Sequence, residues 1–193
     1  MVNKMVVDSK KALEWLIEGN ELYIRSEKNH RGDISLEKRL HTHHHGQSPY
    51  AVIVTCSDSR VIPESIFMTG IGDIFVIRLA GNVVGDFGLG SIEYAVEHLG
   101  CKLVVVMGHT MCGAVHAAIE DTHTNYISSI IKEIQFAIKG ECDNTKASKK
   151  NVFNTVNKIC NSEIVKEEVK HGLKVIGAMY HTHSGHVEFY NRS

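Results

Sequence analysis

The chain has 193 residues, of which 43% are hydrophobic and 22% are charged, so it can bury a core and is neither disordered nor fibrous. Its 21 basic and 22 acidic residues leave a formal charge of −1, which argues against a nucleic-acid partner held by charge. A domain usually has about 150 residues, so we expect one domain over residues 1–193.

The segment 1–48 predicts a helical arm that precedes the core. Ser9 is a candidate cap for a helix whose apolar residues recur at helical spacing over 12–23. A polar segment follows at 27–48 and contains the histidine-rich run 41–45 (HTHHH). The histidines of this run suit a proton-transfer patch, an adventitious metal-binding surface or a solvated loop. They are His41, His43, His44 and His45.

Short apolar runs after residue 50 have the length of buried strands. They are the segments 51–55 (AVIVT), 73–79 (DIFVIRL), 103–108 (LVVVMG) and 173–180 (LKVIGAMY). A further segment, 186–190 (HVEFY), alternates apolar and polar residues and would close a hairpin with the strand before it.

Helical patterns separate the predicted strands. They cover the segments 90–99, 113–120, 126–137 and 150–171. The stretch 139–150 between the last two indicates an exposed linker. Strands that alternate with helices imply right-handed crossovers and parallel pairing. We therefore expect an α/β fold, a single domain with a mostly parallel central β-sheet flanked by helices. Its N-terminal helical arm is 1–48 and its core is 49–193.

Cysteine usage and hydropathy predict the compartment. The five cysteines are odd in number and irregularly spaced, which argues against a disulfide framework and favours reduced thiols. Residues 1–11 contain no apolar signal-peptide segment, and no apolar run approaches the ~18 residues of a membrane helix. We therefore expect a cytoplasmic protein with no membrane partner.

Chemically active side chains follow two of the predicted strands. Cys56, Asp58 and Arg60 come directly after the first strand, and His109 and Cys112 follow the third. Both segments should meet at one edge, because ligands of open parallel sheets bind beyond the carboxyl ends of the strands. Two thiolates and one imidazole suit Zn²⁺, and three protein ligands leave the fourth position for water, as in catalytic sites.

These motifs and several others carry a resemblance to a known family. They are CSDSR at 56–60, GDIFVIR at 72–78, AGN at 80–82, SIEYA at 91–95 and GHTMCGA at 108–114. In these motifs, and over roughly residues 10–190, the chain resembles the β-class carbonic anhydrases. The resemblance implies an enzyme that uses zinc to hydrate carbon dioxide reversibly to bicarbonate and a proton.

The resemblance implies one Zn²⁺ per chain, held by Cys56, His109 and Cys112. Asp58 either ligates the fourth position or stands aside for water, and in the second arrangement Arg60 holds Asp58 in an ion pair. Zinc-bound hydroxide, available near neutral pH, would then attack CO₂. An ionised Asp58 that accepts a hydrogen bond from this hydroxide would orient it toward the substrate.

The resemblance also implies a narrow apolar pocket shared between subunits. Gln47 would donate a hydrogen bond to bicarbonate, and Gly81 would let the backbone approach the substrate closely. Phe75 and Tyr94 would line the pocket from the other subunit of a homodimer or a higher even-numbered homo-oligomer. Some members carry a second, inhibitory bicarbonate site that uses a tryptophan where this chain has Ile53, so we expect no such site here.

Other functions remain open from the residues alone. The same zinc site would also serve a hydrolase of COS or CS₂. A non-catalytic zinc-binding or redox-sensing protein, in which Cys56 and Cys112 form a disulfide on metal loss, would have no need of the Asp58–Arg60 pair. The spacing between Cys56 and Arg60 is too short for a thiolate phosphate loop.

Overall fold

The strands form one sheet in a computed structural model, which describes residues 6–25, 28, 31–121 and 125–190. Among these residues the strands are β1 (Ala51–Thr55), β2 (Ile74–Arg78), β3 (Leu103–His109), β4 (Lys174–Tyr180) and β5 (Val187–Tyr190). Their order is β2-β1-β3-β4-β5; the first four are parallel and β5 is antiparallel to β4. The predicted fold class is confirmed, and each strand lies within one residue of its predicted bounds.

Helices cover the sheet. Those of the described residues are α1 (Ser9–Ile24), α2 (Leu36–His45), α3 (Pro63–Ile66), α4 (Asp86–Glu93), α5 (Gly113–Ile119), α6 (Ile127–Ile138), α7 (Asn144–Cys160) and α8 (Glu163–Lys170). A 3₁₀ turn spans Ala80–Asn82, and a π-helical turn over Tyr94–His98 continues α4. No helix in the described ranges combines the length and the apolarity that a membrane crossing needs.

The N-terminal helices differ from their prediction in two respects. The cap of α1 is Asp8 rather than Ser9, because the Asp8 carboxylate accepts hydrogen bonds from the N–H groups of Lys10 and Lys11, both at 2.9 Å. The polar segment contains α2, capped by Ser35, so its histidines lie on a helix rather than in a loop. This helix buries no residue, which explains why it shows no apolar pattern.

The predicted linker at 139–150 is wrong over most of its length. Helix α7 begins at Asn144 after its cap Asp143, whose carboxylate accepts from the Lys146 N–H at 2.8 Å. Ser148 is already buried in the second turn of this helix. The helix predicted over 150–171 is in fact the end of α7 and the separate helix α8, which begins after its cap, Ser162.

Apolar side chains bury both faces of the sheet. In β1, Val52 and Val54 pack with α4, α7 and α8 on one face, whereas Ala51 and Ile53 pack with α1 and α3 on the other. Every residue of β3 is buried. Parallel strands covered on both faces are continuously apolar, which is why these segments could be recognised from the sequence.

Helix α1 is fixed to the core by Gly19 and Asn20. The Asn20 side chain donates to the Gly185 carbonyl at 2.8 Å and accepts from the Val187 N–H at 2.9 Å, which attaches α1 to the β4–β5 hairpin. At Gly19 the helix passes so close to α3 that a Cβ atom would lie 2.0 Å from the Phe67 carbonyl oxygen.

We expect Gly19→Ala to lower the free energy of unfolding by about 1–3 kcal/mol, because the added methyl group overpacks against backbone that cannot rotate away. Denaturant unfolding at a fixed protein concentration measures the loss. The matched control is Gly90→Ala in α4, where an added Cβ meets nothing within 4 Å. The control should be neutral or slightly stabilising. Equal stability of the two variants would contradict the close approach.

Candidate metal centre

Three potential metal ligands converge beyond the carboxyl ends of β1 and β3. Cys56 follows β1, His109 ends β3, and Cys112 immediately precedes α5. Their ligand atoms all lie within 4.8 Å of one another, and all three residues are buried. Within the described residues this is the group of three or more such side chains that could hold a metal ion, and it does not include the histidines of α2.

The His109 ring is oriented by its backbone contact. Its Nδ1 lies 3.0 Å from the Thr110 carbonyl oxygen, so Nδ1 carries the proton and donates it there. The Nε2 lone pair is then left to face the sulfurs. Nε2 is buried and makes no hydrogen bond within the described part of the chain. A cation ligated at Nε2 would satisfy this buried acceptor, and a ring N–H held by a backbone carbonyl is typical of metal-bound histidine.

The two thiols share their protons unequally. The hydrogen bond between the sulfurs lowers the pKa of Cys56 and raises the pKa of Cys112. The first thiolate is stabilised by the proton that its neighbour keeps, whereas a second thiolate would place like charges side by side. The Gly81 N–H adds a further donor, 3.2 Å from Cys56 Sγ. A divalent cation between the sulfurs offsets their repulsion, so the donor set fits Zn²⁺.

Asp58 lies at the edge of this cluster in a two-point ion pair. Arg60 donates from Nε to Oδ1 at 2.9 Å and from Nη2 to Oδ2 at 2.7 Å. These hydrogen bonds hold the pKa of Asp58 well below its usual range, so the carboxylate stays ionised. Asp58 Oδ2 lies 3.8 Å from His109 Nε2. Arg60 also donates to the Met111 carbonyl at 3.1 Å, which ties the loop after β1 to the loop after β3.

Polar side chains that the sequence analysis did not single out support the ligand loops. Arg78, at the end of β2, donates to the carbonyl oxygens of Cys56 at 3.2 Å and Asp58 at 2.8 Å. Asn144 accepts from the Cys112 N–H and donates to the Cys112 carbonyl, both at 3.2 Å. Arg78 is the last residue of the GDIFVIR motif, so the motif could have indicated a role for it. Asn144 stood in the segment interpreted as a linker.

The residues predicted to bind substrate are placed less directly. Gly81 lies against Cys56 in a turn with φ of 62°, the left-handed conformation that favours glycine. The rings of Phe75 and Tyr94 contact each other with centroids 6.4 Å apart. Gln47 precedes the amino end of β1, whereas the cluster lies beyond the carboxyl end of that strand. The fold of one chain therefore does not explain how Gln47 would reach the cluster.

Comparison with known proteins identifies the family. The family model described as carbonic anhydrase matches residues 51–187. Carbonic anhydrase 2 of Mycobacterium tuberculosis is 47% identical over 119 residues, a segment that covers 62% of this chain and 55% of that protein. The chain therefore spans about half the length of this relative.

Solved structures show the same fold. A β-carbonic anhydrase of the fungal pathogen Aspergillus fumigatus superposes with a TM-score of 0.72 at 25% identity, over 94% of this chain and 88% of that one. A tetrameric β-carbonic anhydrase of the ascomycete Sordaria macrospora gives a TM-score of 0.71 at 24% identity, over 81% of this chain and 88% of that one.

The family match runs from the start of β1 to the start of β5 and includes Cys56, His109 and Cys112. It covers more than half of the chain, and the matched structures share the fold of this chain. The chain belongs to the β-carbonic anhydrase family.

Proposed function

We propose that the chain is a zinc-dependent carbonic anhydrase, which hydrates CO₂ reversibly to bicarbonate and a proton. The observation that carries this proposal is the buried Cys56–His109–Cys112 cluster with the ionised Asp58 beside it. A purely structural zinc site needs four ligands and no adjacent carboxylate held off by an arginine. Family membership and the carbonic anhydrase relatives support the same activity.

Cys56, His109 and Cys112 would hold one Zn²⁺ per chain. When bound, zinc lowers the pKa of water to about 7 and so makes hydroxide available near neutral pH. The chain's own residues orient the reaction. Asp58, kept ionised by Arg60, accepts a hydrogen bond from the attacking water and turns a lone pair of that oxygen toward CO₂. With both Asp58 oxygens engaged by Arg60, the carboxylate would leave the fourth position of a bound zinc to water.

We further propose that the substrate pocket is completed by a second copy of the chain. Exposed apolar side chains support this: Met111, which lies in the chain between His109 and Cys112, is 68% exposed, and Tyr94, which contacts Phe75, is 46% exposed. Phe75 and Tyr94 would line the pocket across the interface, beside Gly81. Gln47, the proposed donor to bicarbonate, would be placed by the same assembly. The tetrameric Sordaria macrospora neighbour is consistent with an even-numbered oligomer.

Organisation and location extend the proposal. Residues 1–48 would act as an arm attached to the core 49–193, since α1 buries Ala12 and Leu16 against the sheet. The odd number of cysteines favours a cytoplasmic protein.

Replacing one sulfur ligand tests the zinc site. We expect the wild-type protein to contain one zinc per chain and to hydrate CO₂ at pH 8 in stopped-flow measurements, and Cys56→Ala to lose both. The control is Cys142→Ala, which removes an exposed cysteine outside the cluster and should change neither. Stoichiometric zinc without CO₂ hydration by the wild type would contradict the proposed activity, and turnover of COS by the same sample would favour the hydrolase alternative.

Asp58→Asn tests the orienting carboxylate. We expect zinc content to be retained and kcat to fall about 10–100-fold. The amide of asparagine is neutral and has one oxygen acceptor, whereas the carboxylate is ionised and accepts hydrogen bonds at both oxygens. The control, Asp33→Asn, neutralises another carboxylate whose pKa is lowered, in its case by the backbone N–H of Ser35, and should leave kcat unchanged. Unchanged turnover in Asp58→Asn would remove the orienting role and leave the zinc assignment intact.

A further inference from the structure

Helix α7 carries a stripe of polar side chains on a face turned toward the protein interior. The polar residues at positions 144, 148, 151 and 155 are three or four positions apart, which places them on one side of the helix. This polar stripe consists of Asn144, Ser148, Asn151 and Thr155. Its last three members are at most 2% exposed, although buried polar groups cost free energy unless they are hydrogen-bonded. The contacts of the stripe therefore need an explanation.

Two members of the polar stripe hold the turn beside the first sulfur ligand. Asn151 Nδ2 donates to the Gly81 carbonyl at 2.6 Å, and Thr155 Oγ1 donates to the Asn82 carbonyl at 3.2 Å. Gly81 and Asn82 are both left-handed, with φ of 62° and 48°. Glycine and asparagine adopt this conformation more readily than other residues, and the two bonds from α7 hold the turn in it. In this turn the Gly81 N–H points at Cys56 Sγ, which lies 3.2 Å from the Gly81 nitrogen.

A third member holds the second sulfur ligand. The Asn144 amide pairs with both the N–H and the carbonyl of Cys112, each at 3.2 Å. Cys112 follows Met111, another left-handed residue, with φ of 56°. One helix therefore fixes both the backbone of Cys112 and the turn that donates a hydrogen bond to Cys56 Sγ.

The N–H···S bond matters because of the charge at the centre. Two thiolates cancel much of the charge of a divalent cation and weaken its effect on bound water. A hydrogen bond to a thiolate withdraws electron density from the sulfur and reduces this cancellation. Outer contacts of this kind typically change metal affinity or activity 10–100-fold when they are removed.

We propose that Asn151 is a positioning residue of the metal centre: by holding the Gly81 carbonyl it fixes the Gly81 backbone, and so aims the N–H of the same residue at Cys56 Sγ. Together with Asn144 it makes α7 the element that orients both sulfur ligands. This inference rests on the proposed zinc site and adds the residues that tune it.

The experiment compares Asn151→Ala with two controls on the same helix. Ser148→Ala removes a buried hydroxyl of the same stripe that has no hydrogen-bond partner within the described residues. Val152→Ala removes core packing at the neighbouring position without touching a hydrogen bond. Zinc transfer from each folded holoprotein to a chromophoric chelator should be about tenfold faster for Asn151→Ala, and within about twofold of wild type for both controls.

A spectroscopic measurement separates positioning from general loosening. In the cobalt-substituted proteins, the sulfur-to-cobalt charge-transfer band should move to longer wavelength in Asn151→Ala, because the Cys56 sulfur becomes more electron-rich. The band should not move in Ser148→Ala or Val152→Ala. If the band and the zinc transfer rate of Asn151→Ala both match those of Val152→Ala, Asn151 is structural only and the inference is overturned.

Thr155→Val provides a second variant that preserves side-chain shape. It removes the bond to the Asn82 carbonyl and should shift the band in the same direction by a smaller amount. If Asn151→Ala fails to fold, an unshifted band in Thr155→Val decides against the proposal. A wild-type protein that takes up neither zinc nor cobalt would instead disprove the metal site itself, which distinguishes the two failures.

Discussion

Parallel pairing of β1 with β3 is the constraint on which the metal centre depends. The register places Thr55 opposite Met107, and the buried Thr55 hydroxyl donates to the Met107 carbonyl at 2.7 Å. Because both strands end at the same edge, Cys56, directly after β1, and His109, the last residue of β3, come together from distant parts of the chain. A slip of one residue in this pairing would turn each side chain of β1 to the opposite face of the sheet. The same register therefore determines both the packing of the core and the position of Cys56 relative to His109.

The outer contacts of the centre go mainly to backbone atoms. Arg78 donates to two carbonyl oxygens, Asn144 pairs with the N–H and the carbonyl of Cys112, and Asn151 donates to the Gly81 carbonyl. Holding the loops by their peptides leaves the sulfur atoms and the imidazole lone pair free to point inward. A site built in this way is preorganised, because its geometry does not require the ligands themselves to form structural bonds.

The strands and the ligand motifs could be predicted from the sequence because their signals are local. Continuous apolar runs mark strands buried on both faces, and Cys56 and His109 each stand at a strand end. Helix α7 could not be predicted over its first turns, because its buried face carries asparagine, serine and threonine, which in sequence resemble a surface. The same polar residues hold the backbone beside the sulfur ligands, so the hydropathy pattern could not reveal the residues that support the site.

Arg78 has a consequence for the electrostatics of the whole edge. Its guanidinium donates to carbonyl oxygens, which bear no formal charge, so these contacts leave its positive charge uncancelled. If a divalent cation is balanced by two thiolates and Asp58 is balanced by Arg60, the charge of Arg78 is left over. This edge of the sheet is then positively charged, which attracts small anions and repels small cations.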